Sequence, residues 1–214
     1  VISFKQFILL LRGLLVTLEI SLGGMALGTV IGIVLGFLRA SKNPIIKYGI
    51  LVYVEIFRDS PLLIQLFVIY YGLPILFNID VPAIATAFIA ITLYTSGYMA
   101  EVFKSSIEAI NVAQWESASS LGLPFLYTAR KVILPQAFRL AVPPSVGVLI
   151  MVIKDSSLAS VIGFVELTRM ANIVRAQTFT TFNVYAIAAL LYFVVCYALS
   201  RMGRLLERRT LCSE

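Results

Sequence analysis

Two clusters of charged and hydroxyl-bearing residues fall inside or beside long apolar runs of this sequence. One holds Arg58, Asp59 and Ser60 in EIFRDSPLLIQLF, residues 55–67, with Glu55 just before them. The other is Lys154, Asp155, Ser156 and Ser157. Charges are costly within a bilayer, so those that persist there face protein or water and find partners. Arg, Lys and Ser supply donors and Asp an acceptor, the equipment of charge-assisted hydrogen bonding. That chemistry suits reversible capture of a charged solute along a pathway. Each cluster also has a plainer reading. Arg58 can pair with Glu55 or Asp59 and only fix packing, and residues 154–157 can be a helix cap with a local ion pair. Covalent chemistry is poorly served. The chain has no histidine, which removes the commonest general base and zinc ligand. No metal site is expected. No Gly-x-x-x-x-Gly-Lys-Ser/Thr loop occurs, so the chain is not expected to hydrolyse ATP itself.

The elements that must hold these clusters are membrane helices. The 214 residues are 60% hydrophobic and 13% charged, against about 25% charged in an ordinary soluble domain. Five apolar runs are long enough to cross a bilayer: roughly 13–38, 50–77, 83–103, 132–153 and 183–203. The fold class is therefore an all-α membrane protein with five transmembrane helices in one domain, 1–214. The first run is too long for a signal-peptide core and is expected to stay. Basic residues flank the runs unevenly. Arg39, Lys42 and Lys47, then Lys104, Arg130 and Lys131, then Arg201, Arg204, Arg208 and Arg209 fall on one side. The positive-inside rule makes that side cytoplasmic, with the N-terminus outside and the C-terminus inside. The same distribution accounts for the net charge of +6 without nucleic acid. Cys196 and Cys212 are not expected to pair.

The first run carries Gly24, Gly28, Gly32 and Gly36. Glycines every fourth residue lie near one helix face and admit another helix closely. They predict either tight packing within the chain or a subunit interface. In the second run, Ser60-Pro61 reads as an N-cap followed by proline at the first helical position. That leaves either a short lead-in before a helix starting at Ser60, or one long kinked helix. Pro143 and Pro144 kink the fourth run. Residues 155–181, with Glu166, Arg169 and Arg175, are amphipathic and expected on the outer side. They could be part of a docking surface there or a plain loop.

Between the third and fourth runs lies a polar island, EAINVAQWESASSLGLPFLYTARKVILPQ, residues 108–136. Asn111 can cap a helix, with Gln114 in the place of a capping-box partner. Gly122 can end that helix in the left-handed conformation, and Pro124 prevents its continuation. Trp115, Ala118 and Gly122 fall near one face. A helix this short is marginal alone and needs a surface to dock on. A soluble cytoplasmic partner would supply one. A place on lipid headgroups fits less well, since the face is rich in Ala and Ser.

The spacing Glu116-Ser117-Ala118, Gly122, Val132-x-Leu134-Pro135 resembles the EAA motif of permease subunits of bacterial ABC importers. FRDSPLLIQLF, YMAEVFKSSIEAI (residues 98–110) and KDSSLASVIGFVELTR (residues 154–169) resemble the polar amino acid branch of that family. Ser117, Asp59 and Val132 depart from the usual Ala, Gly and Ile. The resemblance implies a type I ABC importer permease fold in the bacterial inner membrane. Residues 111–123 would be the cytoplasmic coupling helix, with Trp115, Glu116, Ala118, Leu121 and Gly122 meeting the ATPase. Implied partners are two ATP-binding subunits, a second permease copy or homologue, and an extracytoplasmic substrate-binding protein. No cofactor is expected on this chain; ATP and Mg belong to the ATPase. The implied cargo is a polar amino acid, moved by alternating access. Asp155 could take its ammonium, and Lys154, Ser156, Ser157 or Arg58 its carboxylate. A secondary transporter would need ion-coupling carboxylates and often an inverted repeat. Glu19 is a candidate carboxylate, but no repeat is visible and the island would go unexplained. A channel is a further alternative, separable by ATPase dependence.

Overall fold

The computed structural model describes residues 2–39 and 43–211, and the side chains of that set as far as Arg208. Lys42 and Cys212 lie outside the described residues, as does the side chain of Arg209. Every regular element among them is helical. The order is α1 (Phe4–Arg39), α2 (Pro44–Asp59), α3 (Leu62–Phe77), α4 (Ala83–Glu108), α5 (Val112–Ser120), α6 (Phe125–Ile162), α7 (Leu167–Thr178) and α8 (Thr181–Leu211). Helices α1, α4, α6 and α8 are each long and apolar enough to span a membrane. The second expected span is divided. It begins earlier than residue 50, and α2 and α3 meet at a bend of 100°.

The bend has a local cause. Proline has no N–H to give and disfavours helical geometry in the residue before it. Ser60, the residue before Pro61, is extended at φ −92, ψ 142. Ser60 therefore closes α2 rather than capping α3, which overturns the expected N-cap. Its hydroxyl donates back to the Ile56 carbonyl. Gln65 then bridges the break, its Nε2 donating to Ser60 Oγ at 2.9 Å and to the Phe57 carbonyl at 2.8 Å.

Helices α1 and α4 run parallel and form the tightest pair. Contacts advance in step: Gly24 meets Ile91, Gly28 meets Thr95, Gly32 meets Met99 and Gly36 meets Phe103. A Cβ on Gly28 would lie 2.7 Å from that of Thr95, and one on Gly32 2.5 Å from that of Met99. The glycine face is thus packed within the chain, against α4. Around this pair sits the main core, with Leu62 and Leu66 of α3, Ile91 and Met99 of α4, and Val148 and Val152 of α6. Helix α8 packs on α6 in the opposite sense and leaves Leu190, Phe193, Val194 and Tyr197 more than half exposed.

Two helices contain a wider π-helical turn, Val68–Gly72 in α3 and Ala129–Ile133 in α6. Such turns arise where the regular hydrogen-bond ladder is disturbed. Pro74 and Pro135 lie just beyond them and each withholds an N–H.

At the end of the bundle away from α5, α7 packs on the first half of α1. Gly13 meets Leu167 and Met170, and Leu167 N donates to Thr17 Oγ1 at 3.1 Å. Glu166 caps α7. Its carboxylate accepts from Thr168 N and Arg169 N, both at 2.8 Å, and from Tyr192 Oη of α8 at 2.9 Å. Glu166 is fully buried, whereas Arg169 and Arg175 are exposed.

Candidate functional site

Asp155 stands near the end of the regular part of α6, before the chain tightens into a 3-10 stretch over Ser156–Ile162. Its Oδ2 accepts a hydrogen bond from Tyr94 Oη of α4 at 3.1 Å. The Tyr94 ring packs on Tyr98 one turn later, with centroids 4.9 Å apart. Tyr98 Oη donates to the Arg58 carbonyl at 3.2 Å. A continuous polar and aromatic line thus joins the two charged clusters. Tyr94 and Tyr98 are the links, four residues apart on one helix face. The Tyr94 hydroxyl holds the partly buried Asp155 carboxylate, and the Tyr98 hydroxyl meets the end of α2 beside the α2–α3 break. Ser156 is buried and bonds the Ile153 carbonyl at 2.9 Å, a local backbone role. Lys154 is exposed and Ser157 half-buried, and both line a cavity of about 440 Å³ with Thr168, Tyr192 and Cys196. Asp155 and Lys154 therefore point different ways: the acid inward to Tyr94, the ammonium outward towards α8.

Arg58 does pair with Asp59, Nε to Oδ1 at 2.9 Å. It also reaches Glu101 of α4 at 3.5 Å. Glu101 is the hub of a wider network. Arg39, at the end of α1, binds its Oε2, and Lys104 lies 3.4 Å from its Oε1. One carboxylate thus gathers cations from α1, α2 and α4. Tyr53 of α2 adds a hydroxyl contact to Ser96 of α4 at 2.7 Å. Ser60 stays within the break, bonded to Ile56 and Gln65. The four-residue rhythm of Tyr94 and Tyr98 with the adjacent Glu101 was available in TLYTSGYMAE, residues 92–101, as a polar face in an apolar run.

Helix α5 lies between α4 and α6, at the end of the bundle opposite α7. The side chain of Asn111 accepts from Ala113 N at 2.9 Å, the expected cap. The Gln114 backbone N–H bonds the Asn111 carbonyl at 2.9 Å. At the other end Leu123 N reaches the Ala118 carbonyl at 3.1 Å, and Gly122 is left-handed at φ 73, a Schellman closure. Ala118 is buried. Trp115 stacks on Phe125, centroids 5.4 Å apart and planes 16° off parallel. Leu121 is 78% exposed and Phe125 68%, so the tip of the turn presents apolar surface outward. Glu116 is exposed. Trp115 and Ala118 thus seat the helix, while Glu116, Leu121 and Gly122 face out.

A family described as "Binding-protein-dependent transport system inner membrane component" matches residues 28–211. The chain is 36% identical over 208 residues to the probable amino-acid ABC transporter permease protein YckA of Bacillus subtilis, covering 97% of this chain and 92% of that protein. It is 35% identical over 198 residues to the L-cystine transport system permease protein TcyB of the same organism, covering 92% and 84%. The crystal structure of an amino acid ABC transporter with histidines superposes with a TM-score of 0.90 at 34% identity, covering 98% of this chain and 99% of that one. The inward-facing MetNI methionine ABC transporter shares the fold, with a TM-score of 0.77 at 21% identity over 96% of this chain and 99% of that one.

Proposed function

We propose, since this chain belongs to the family of binding-protein-dependent transport system inner membrane components, that it carries a polar amino acid inward as the permease subunit of an ABC importer. The observation that carries the coupling half of this reading is α5. It is a capped helix with a buried seat and an apolar tip turned outward. It joins the two helices, α4 and α6, that hold Tyr94 and Asp155. One of the complex's two ATP-binding subunits receives that tip in a cleft, and closure of the ATPase pair moves α4 against α6. The site at Asp155 then passes between outward- and inward-facing states, a population shift driven by a partner. ATP and Mg stay on the ATPase. A second permease copy or homologue completes the pathway, and a substrate-binding protein feeds it from the α7 end. The α5 end is cytoplasmic, which puts the N-terminus outside and the C-terminus inside. Asp155 takes the ammonium of the amino acid.

The assembled transporter in proteoliposomes tests this. Gly122→Val should abolish uptake of labelled amino acids and loosen retention of the ATPase on purification. Uptake at the normal rate would contradict the coupling role of α5. Cysteine labelling at position 120 from outside the cell would contradict the orientation.

A further inference from the structure

The end of α1, the start of α2 and the last turns of α4 enclose a cavity of about 380 Å³ at the α5 end of the bundle. Arg39, Lys47 and Lys104 line it, one cation from each helix, together with Glu108, Leu51 and Ile107. Two of these cations are already engaged. Arg39 and Lys104 hold the two oxygens of Glu101, and Lys104 lies 3.6 Å from the exposed Glu108. Lys47 is different. It is exposed and has no ion pair among the described residues. Three cations against two carboxylates leave a positive surplus, and the surplus sits at Lys47. An anion with several oxygens could meet donors from three directions there.

The surroundings say which kind of anion. Lys47 belongs to a turn whose neighbours Ile45, Ile46 and Tyr48 are 81%, 40% and 64% exposed. Leu38, beside Arg39, is 40% exposed. Helix α1 is a membrane span and α2 is one arm of a broken one, so these exposed apolar side chains stand where acyl chains can reach them. Tyrosine is favoured at headgroup depth. A soluble anion gains nothing from that rim. An amphiphile uses both parts, and basic pockets between spanning helices on the cytoplasmic side are suited to anionic headgroups. We propose that this cavity holds the phosphate of an anionic phospholipid, with Lys47 as the deciding contact. The lipid would stitch α1, α2 and α4 together at the level of the Glu101 network.

The assembled transporter, purified in mild detergent, can be offered dioleoyl phosphatidylglycerol or dioleoyl phosphatidylcholine and weighed by native mass spectrometry. Wild type should retain phosphatidylglycerol in preference. Lys47→Gln should lower that retention about fivefold, as expected for one cation near a charged headgroup, with phosphatidylcholine unaffected. Lys47→Arg should restore it. Millimolar inorganic phosphate should not displace the lipid. Wild-type retention in Lys47→Gln would overturn the proposal, as would equal retention of the two lipids. Displacement by inorganic phosphate would overturn it in favour of a soluble-anion site.

Discussion

Asp155 has a partner that decides how it is presented. Tyr94 donates to it, and the ring of Tyr94 is braced by Tyr98, itself tied to the backbone of Arg58. Removing the hydroxyl in Tyr94→Phe should leave the fold intact and free the carboxylate to turn. A hydrogen bond to an ionised group is worth roughly 1.5 kcal/mol or more, so KM for uptake should rise about tenfold. Uptake kinetics in proteoliposomes check this; an unchanged KM would remove the Tyr94 hydroxyl from the site. Asp155→Asn should weaken apparent affinity further, because the proposed acceptor for an ammonium loses its charge. The charged residues were legible in the sequence because Arg58, Asp59, Lys154 and Asp155 stand out against apolar neighbours. Tyr94 and Tyr98 carried a weaker signal, a four-residue rhythm alone, since a tyrosine in a membrane segment is as readily an interfacial anchor. The ion pair at Glu101 was hidden for another reason: Arg39, its partner on α1, is 62 positions away, and no local pattern points across that distance.

Among the elements, α1 shows what a spacing does and does not reveal. Glycines at every fourth position announced a close approach, but not that α4 was the helix approaching. The fit leaves no room. Gly28→Leu would drive a side chain into Thr92 and Thr95, whose atoms lie within 2.8 Å of where its Cβ would stand. Overpacking costs about 1–3 kcal/mol or more, so the melting temperature in detergent should fall clearly, as thermal unfolding would show. Gly122 is a contrasting case. A Cβ there meets nothing within 4 Å, but φ is 73. Gly122→Ala should therefore cost only about 1 kcal/mol, for the left-handed backbone alone. Global melting should barely move while ATPase retention weakens. The broken second span was only half legible. Ser60-Pro61 marked an interruption in the sequence, yet the direction and size of the bend follow from how α2 lies across α4. Those contacts, Val54 and Arg58 against Gly97, are tertiary.

Across the whole molecule, the two ends differ in how they are held. The α5 end relies on ion pairs, the α7 end on one buried carboxylate. Burial pushes Glu166 above the usual carboxylate range, although Thr168 N, Arg169 N and Tyr192 pull it back part of the way. A raised folded value means that the folded state binds the proton more tightly than the unfolded one. The contribution is present in full below the ordinary glutamate range and is lost as pH rises through the raised value. Stability of the purified complex should therefore decline over that window, and Glu166→Gln should flatten that part of the profile. Melting temperature against pH, wild type beside variant, reads this directly.

Helix α1 is 36 residues long, about 54 Å at 1.5 Å per residue. Its glycines interlock with α4 tooth by tooth, and rows of teeth do not slip past one another. A displacement that reaches α4 at one membrane surface would then be carried along α1 to its first half, where Gly13 touches α7. The pair has the build of a pushrod, and a cargo carrier seated over α7 would then sense the nucleotide state of a motor on the other side of the bilayer without any signal passing through the solute path itself.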